Sequence, residues 1–319
     1  METKELINLV RAYNPGSEHV TLSSIFAKMK SEERPMTINS GPPGTGKSES
    51  SIRLWTSIGD KKHIVLDNTT TPRGLFETVL EYPDSDIILD ECSTLLKDRK
   101  SQEMIKQLMQ GGSLIWTKNN KTETTQPYTG SIVINTNESV IETVSDRAYV
   151  NRTSSDKRSI LEFNTYYVLQ NHDAEKAKLV EYVQKSIVGK QTMSLTPAEV
   201  QFVLDFVTER INSNESSDGY SRRIIRRILQ YYAMTKTFFG TLDDEAKAFV
   251  APYAEAYIMN KTVPSLIESL VPGEGIDKPT LVRLVSEKTG YTEQHARSLI
   301  RGSLDKGTFV LEGKMVVKK

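Results

Sequence analysis

The segment GPPGTGKS, Gly41 to Ser48, carries glycines, a lysine and a serine in the spacing GxxxxGK[ST]. Backbone N–H groups of such a loop converge on anionic phosphate oxygens. Lys47 adds a point charge suited to β- and γ-phosphates, and the Ser48 hydroxyl suits a magnesium ion. Gly44 and Gly46 let the backbone approach closely. About 40 residues on, DIILDEC closes an apolar run with Asp90 and Glu91. An acid pair at a strand end supplies the complementary chemistry: Asp90 can bind magnesium through water, and Glu91 can orient and polarise an attacking water. The combination predicts ATP hydrolysis with Mg2+, Ser48 and Asp90 being the metal-side residues.

These residues need a strand before the loop, a helix after it, and a second buried strand beside the first. Met36 to Ile38 reads as that first strand, with helical periodicity from Lys47 onward. The segments HIVLD, TPRGLFETVLEY, DIILDE, SQEMIKQLMQ and SIVINTN then alternate between β-rich and helical patterns, predicting an α/β sheet covered by helices. RSILEFN reads as a last strand ending near residue 164. Before this block, NLVRAY and LSSIFAKMK read as short helices broken by NPGSEH. After it, roughly a hundred residues read as helix, with the polar loop NSNESSDG as the loosest link. VPGEG at 271–275 breaks the helical run. Beyond it come a helix ending at Gly290, a second ending at Gly307, and two strands around the turn Glu312-Gly313, the order of a winged-helix domain.

With both motifs placed, residues 36–164 resemble the AAA+ ATPases. That resemblance implies an α/β P-loop ATPase core with a parallel sheet at 36–164. It is preceded by an N-terminal helical segment at 1–35 and followed by a helical lid at 165–270 and a winged helix at 271–319. It implies that Pro42, Pro43, Thr45 and Glu49 join Gly41, Gly44, Gly46, Lys47, Ser48 and Asp90 around the nucleotide. Asn137 matches the family's polar residue closing the fourth strand, with Asn135 the weaker candidate. In SDRAYVNRTSSDKRSILEFN, Arg152 fits best as the arginine donated to a neighbouring subunit, with Arg147 in reserve; either could instead pair with local acids. YSRRIIRRILQYYAMTK resembles an MCM-type lid helix, where Arg222 or Arg223 would act as second nucleotide sensor. Arg222 with Arg226 and Arg223 with Arg227 form a doubled basic stripe.

Between the acid pair and Asn137 lies MIKQLMQGGSLIWTKNNKTETTQPYTG, which is similar to the pore hairpin of superfamily 3 and of phage and poxvirus helicases. The resemblance implies that Lys118 and Lys121, with Trp116 behind them, grip single-stranded DNA. Lysines can track phosphates without reading bases. The protein implied is a ring-forming helicase or translocase of a mobile element, virus or plasmid, six subunits being the family default and a separate initiator or primase its partner. An initiator or loader without processive unwinding shares every nucleotide residue. A protein remodeller would need an aromatic pore loop in NTTTPRGLFET, where Leu75 and Phe76 fall instead on the buried face of a helix.

Composition narrows the field. Lys+Arg and Asp+Glu both number 41, so attraction to nucleic acid must come from local patches. Residues 275–319 hold nine basic against five acidic residues, and Arg297 and Arg301 lie one turn apart on the second helix, where they could meet double-stranded DNA or a protein. No apolar run reaches the roughly 18 residues of a membrane span, and METKELINLVRAY lacks a signal-peptide core, predicting a cytoplasmic protein with no membrane contact. The single cysteine, Cys92, excludes an internal disulfide.

Overall fold

The computed structural model describes residues 1–31, 36–41, 43–137, 148–153, 172–212, 222–289, 293–305 and 309–318. The chain divides into two compact units, residues 1–194 with 231–250, and residues 195–230 with 251–319.

The first unit is built on five parallel strands: β1 (Thr37–Ser40), β2 (His63–Leu66), β3 (Asp86–Asp90), β6 (Ile132–Thr136) and β7 (Tyr149–Arg152), in the order β2-β3-β6-β1-β7. The central strands read as unbroken runs such as IILD and IVINT because helices cover both faces, so no alternation survives. The strand Tyr149–Arg152 lies beside β1, and the last strand that the sequence assigns to residues 158–164 lies outside the described residues. Met36, Ile38, Ile87, Leu89, Ile132 and Ile134 join Leu75, Phe76 and Leu108 from the covering helices in one apolar core.

Those helices are α4 (Pro72–Glu81), α5 (Ser93–Lys97) and α6 (Arg99–Met109). Thr71 caps α4 by accepting from the Gly74 N–H at 3.1 Å with Pro72 at the first turn, and Asp98 caps α6 through the Ser101 N–H at 2.7 Å. Phe76 is fully buried, as its helical register predicts, which leaves no aromatic pore loop there. The helix after the phosphate loop opens with π-type hydrogen bonding over Glu49–Arg53 and continues as α3 (Leu54–Ile58).

The N-terminal helices α1 (Thr3–Tyr13) and α2 (Glu18–Phe26) belong to this core rather than standing before it. Trp55, fully buried, donates its indole N–H to the Ser24 carbonyl at 2.9 Å. Just past α2, Lys28 is buried between Asp60 at 2.9 Å and Asp86 at 2.7 Å. Deleting this ammonium would leave two carboxylates uncompensated, a loss of about 3–5 kcal/mol for a buried pair. Helix α7 (His172–Ser186) packs on α1.

A two-stranded hairpin, β4 (Ile115–Lys118) with β5 (Lys121–Thr124), follows α6. Asn119 and Asn120 both adopt positive φ, 51° and 60°, the geometry of a two-residue type I′ turn that asparagine tolerates.

The second unit contains α8 (Pro197–Asn212) and parts of two long helices, α9 (Arg222–Phe239) and α10 (Asp244–Leu270), each of which also contributes residues to the first unit. Its C-terminal portion has β8 (Ile276–Asp277), α11 (Lys278–Thr289), α12 (Glu293–Asp305), β9 (Phe309–Glu312) and β10 (Met315–Lys318), the strands forming an antiparallel sheet β8-β10-β9. Leu281, Val285, Ile300, Phe309 and Val316 bury this module's core together with Ile267 of α10.

Candidate nucleotide-binding site

The loop from Gly41 leaves the carboxyl end of β1 and feeds the helix beginning at Lys47, with β6 and β7 on either side of β1. Ligand-binding residues of open parallel sheets gather at this end of the strands. Gly44 and Gly46 have φ of 75° and 79°, a region that L side chains rarely enter, and a Cβ on Gly46 would collide with the Asn14 amide at 2.5 Å. Pro42 lies outside the described residues.

Lys47 is buried, and its ammonium donates to the Gly41 carbonyl at 2.7 Å and to Asn137 Oδ1 at 3.0 Å. Burial lowers its pKa from the ordinary lysine value, opposed by the negative charges of Glu91 and then Asp90. Ser48 donates its hydroxyl to Asp90 Oδ1 at 3.1 Å. The residue pair expected to hold a metal is therefore together, although 42 positions separate it in sequence.

Glu91 sits one residue past β3 with φ of 55°, a left-handed conformation costing about 1–3 kcal/mol for a residue with a side chain. Its backbone N–H is held by the Asn135 carbonyl at 2.8 Å, and its carboxylate accepts from Asn137 Nδ2 at 2.6 Å. One asparagine thus bridges the lysine and the glutamate. Asn135, the weaker candidate, is buried beneath the site and donates to Asp90 Oδ1 at 2.8 Å. Glu49 is turned away from the loop in ion pairs with Arg53 at 3.0 Å and Lys176 at 2.8 Å.

Several contacts here have no signature in the sequence. Asn14 donates to the Gly46 carbonyl at 2.9 Å and Ser17 to the Thr45 carbonyl at 2.8 Å, so the α1–α2 junction grips the loop from outside. Asn68, just past β2, accepts from the Thr94 N–H at 3.1 Å and from the Ser93 hydroxyl at 3.1 Å, capping α5 immediately after the acid pair. The Pro-Gly break at 14–17 was the only available hint of the first. Cys92 is buried with its thiol donating to the Leu66 carbonyl at 2.9 Å, and burial pushes its pKa up to about 12. It is a packing residue rather than a nucleophile.

Arg152 closes β7 in register with Ser40 of β1. The next residue, Thr153, donates its N–H to the Ser40 carbonyl at 2.8 Å, and its hydroxyl lies 2.6 Å from that of Thr45. The chain after β7 therefore runs against its own phosphate loop. Arg147 lies outside the described residues, two positions before β7 begins.

Among the remaining expected residues, Lys118 and Lys121 face each other at the exposed hairpin tip. Trp116, behind them on β4, is half-buried. It packs on Phe76 with ring centroids 5.8 Å apart, and the Lys100 ammonium lies 3.3 Å from its ring centroid. Arg73 of α4 reaches Glu123 of β5 at 2.7 Å. Arg222 and Arg223 begin α9 and their side chains lie outside the described set; further along, Arg226 is exposed whereas Arg227 is buried, so the expected basic stripe is not uniformly solvated. Arg297 pairs with Glu293 at 3.0 Å, and Arg301 is exposed on the same helix.

No protein-family model matches the chain, and no curated protein matches it. A solved structure from Cytophaga hutchinsonii, provisionally described as an ATPase, is 16% identical, covering 78% of this chain and 84% of its own, with a TM-score of 0.44. A likeness at that level carries no argument about activity. Among the described residues no helix is long and apolar enough to cross a membrane, and no cluster of three His, Cys, Asp or Glu side chains is placed to hold a metal.

Proposed function

We propose that this chain is an ATP hydrolase of the AAA+ type that works as a ring and moves on single-stranded DNA. The observation that carries the hydrolase reading is the meeting of Ser48, Asp90, Lys47, Asn137 and Glu91 at the carboxyl ends of three adjacent parallel strands. The residues fit Mg-ATP. Lys47 holds acceptors of its own chain at positions that phosphate oxygens can replace, and the Ser48–Asp90 pair offers a hydroxyl and a carboxylate, the oxygen donors magnesium prefers. Ser48 and, through water, Asp90 would hold magnesium, whose charge would partly neutralise the phosphates.

The chain's own groups then divide the work. Lys47 stabilises negative charge at the terminal phosphate, and Glu91 positions and deprotonates water. Asn137, shared between Lys47 and Glu91, ties the glutamate's orientation to what the lysine is holding. Charge from a neighbouring subunit is assigned to Arg152, which closes β7, with Arg147 in reserve.

The DNA part of the reading rests on the hairpin. Its two tip lysines are exposed and its base is fixed by Trp116 and Arg73, which suits a phosphate-tracking finger. The C-terminal helices and antiparallel strands are read as a winged helix, a second DNA- or protein-contact module, and α7 to α10 as the lid. The deciding experiment measures ATP turnover with and without single-stranded DNA, together with unwinding of a forked duplex. DNA-stimulated turnover with strand separation is expected. Turnover without separation would make the protein a loader or initiator, and absence of turnover would remove the hydrolase reading.

A further inference from the structure

Across the sheet at one level runs a row of polar side chains: Asp90 on β3, Asn135 on β6, Asn39 on β1 and Asn151 on β7, each in register with the next. Asn39 and Asn135 are fully buried, and Asn151 is 8% exposed. The level before it holds Leu89, Ile134, Ile38 and Val150, and the level after it, at the carboxyl end, holds Thr136, Ser40 and Arg152. Buried amides replacing aliphatic side chains at successive strands need a reason, because the apolar alternative is generally no less stable.

The hydrogen bonds of the row all point one way. Ser23 of α2 donates to Asn151 Oδ1 at 3.2 Å, Asn151 Nδ2 to Asn39 Oδ1 at 2.9 Å, Asn39 Nδ2 to Asn135 Oδ1 at 2.9 Å, and Asn135 Nδ2 to Asp90 Oδ1 at 2.8 Å. Asn135 Nδ2 also donates to Ser51 Oγ at 2.9 Å, in the helix after the phosphate loop. The direction is imposed by its end. An ionised carboxylate only accepts, so Asn135 must present its amino group to Asp90 and its oxygen to Asn39, and the same choice passes along the row to the serine hydroxyl.

We propose that Asn135, Asn39 and Asn151 are positioning residues for the magnesium-side carboxylate, and that they link it to β7, the strand that Arg152 closes. The proposal rests on the nucleotide reading above. Ser48 is free to turn from Asp90 toward a metal because Asn135 retains the carboxylate. One Asp90 oxygen stays bound within the sheet, leaving the other for the metal's hydration shell. Any displacement of β7 along the sheet moves Asn151 and, through two amides, the donor that fixes Asp90.

The test measures the affinity of a fluorescent, non-hydrolysable ATP analogue in EDTA and again with Mg2+, on the full chain, for wild type, Asn39→Asp and Asn151→Ala. An aspartate at position 39 demands a donor from Asn135, whose amino group must then leave Asp90. The Mg2+-dependent gain in affinity should fall by about tenfold in Asn39→Asp, a loss typical of a hydrogen bond to a charged group, and by about threefold in Asn151→Ala, one amide further away. Affinity in EDTA should stay at the wild-type value, a split that general unfolding does not produce. An unchanged Mg2+ gain in either folded variant overturns the proposal, and should Asn39→Asp fail to fold, Asn151→Ala decides alone. A wild type that binds nucleotide in neither condition would instead sink the nucleotide reading, and the row's role with it.

Discussion

The carboxyl end of the sheet and the β4–β5 hairpin are both rich in polar side chains, and they use them in opposite ways. At the sheet, Lys47, Asn135 and Asn39 are buried, and their hydrogen bonds run to specified partners on neighbouring strands and the loops that leave them. On the hairpin, Thr117, Lys118, Lys121 and Thr122 are exposed, and the base is held by Trp116, the Arg73–Glu123 pair and the Leu114 N–H bond to Thr125 Oγ1 at 2.9 Å, while the tip lysines are held by strand pairing alone among the bonds described. Buried polar groups hold geometry to fractions of an ångström, which bond-making requires. Exposed ones hold charge in a place while leaving its direction free, which suits a ligand that must keep moving.

Substitutions at the two regions should therefore fail differently. The largest effect is expected from Glu91→Gln, which keeps the hydrogen bond to Asn137 but removes the base: turnover should drop about a thousandfold with nucleotide binding retained. Equal turnover would show that Glu91 is not the base. Asn137→Ala should lower turnover by roughly ten- to a hundredfold, because a donor to a charged group is lost from Glu91 and an acceptor from Lys47. At the hairpin, Trp116→Ala should lower stability by about 2 kcal/mol through lost aromatic packing, read as a melting shift, and weaken DNA stimulation by loosening the finger's base. The double change Lys118→Ala with Lys121→Ala should leave melting and DNA-free turnover at wild-type values while reducing the salt dependence of single-stranded DNA binding. The slope of log K against log salt should shrink by about 1.4 if each lysine neutralises one phosphate. Normal DNA stimulation in that variant would erase the contrast.

The smallest effect should come from Cys92. Burial raises its pKa to about 12 from the ordinary thiol value of 9.0, so its contribution to stability is complete below pH 9 and fades as pH rises toward 12. Alkylation at pH 8 should be slow in the native protein and rapid in urea, with Cys92→Ala leaving turnover nearly unchanged.

How much of this was legible beforehand follows the same division. The phosphate loop and acid pair were readable because their chemistry depends on spacing along the chain, and the lysine-tipped hairpin because Lys-Asn-Asn-Lys specifies its own turn. The strand Tyr149–Arg152 was not, since four residues ending in Asn and Arg resemble a loop until a neighbouring strand supplies their pairing. Asn39 and Asn151 were also invisible as a pair. They are 112 positions apart, and a buried asparagine in a parallel strand breaks the apolar pattern by which such strands are recognised. Trp116 was placed on the right element, behind the tip lysines, but its packing on Phe76 and Lys100 was not legible, because a two-residue period gives alternation but not which side is covered.

The grip of Asn14 and Ser17 on the carbonyls of Gly46 and Thr45 bears on how this protein can be divided experimentally. A fragment trimmed to start at Pro35, where the strand pattern begins, would cut away α1 and α2. With them would go the acceptor for the Trp55 indole, the Lys28 counter-ion for Asp86, and the far anchor of the asparagine row at Ser23. A piece that keeps these contacts must extend back at least to Asn14, and an isolated sheet would present the right motif on an unsupported backbone.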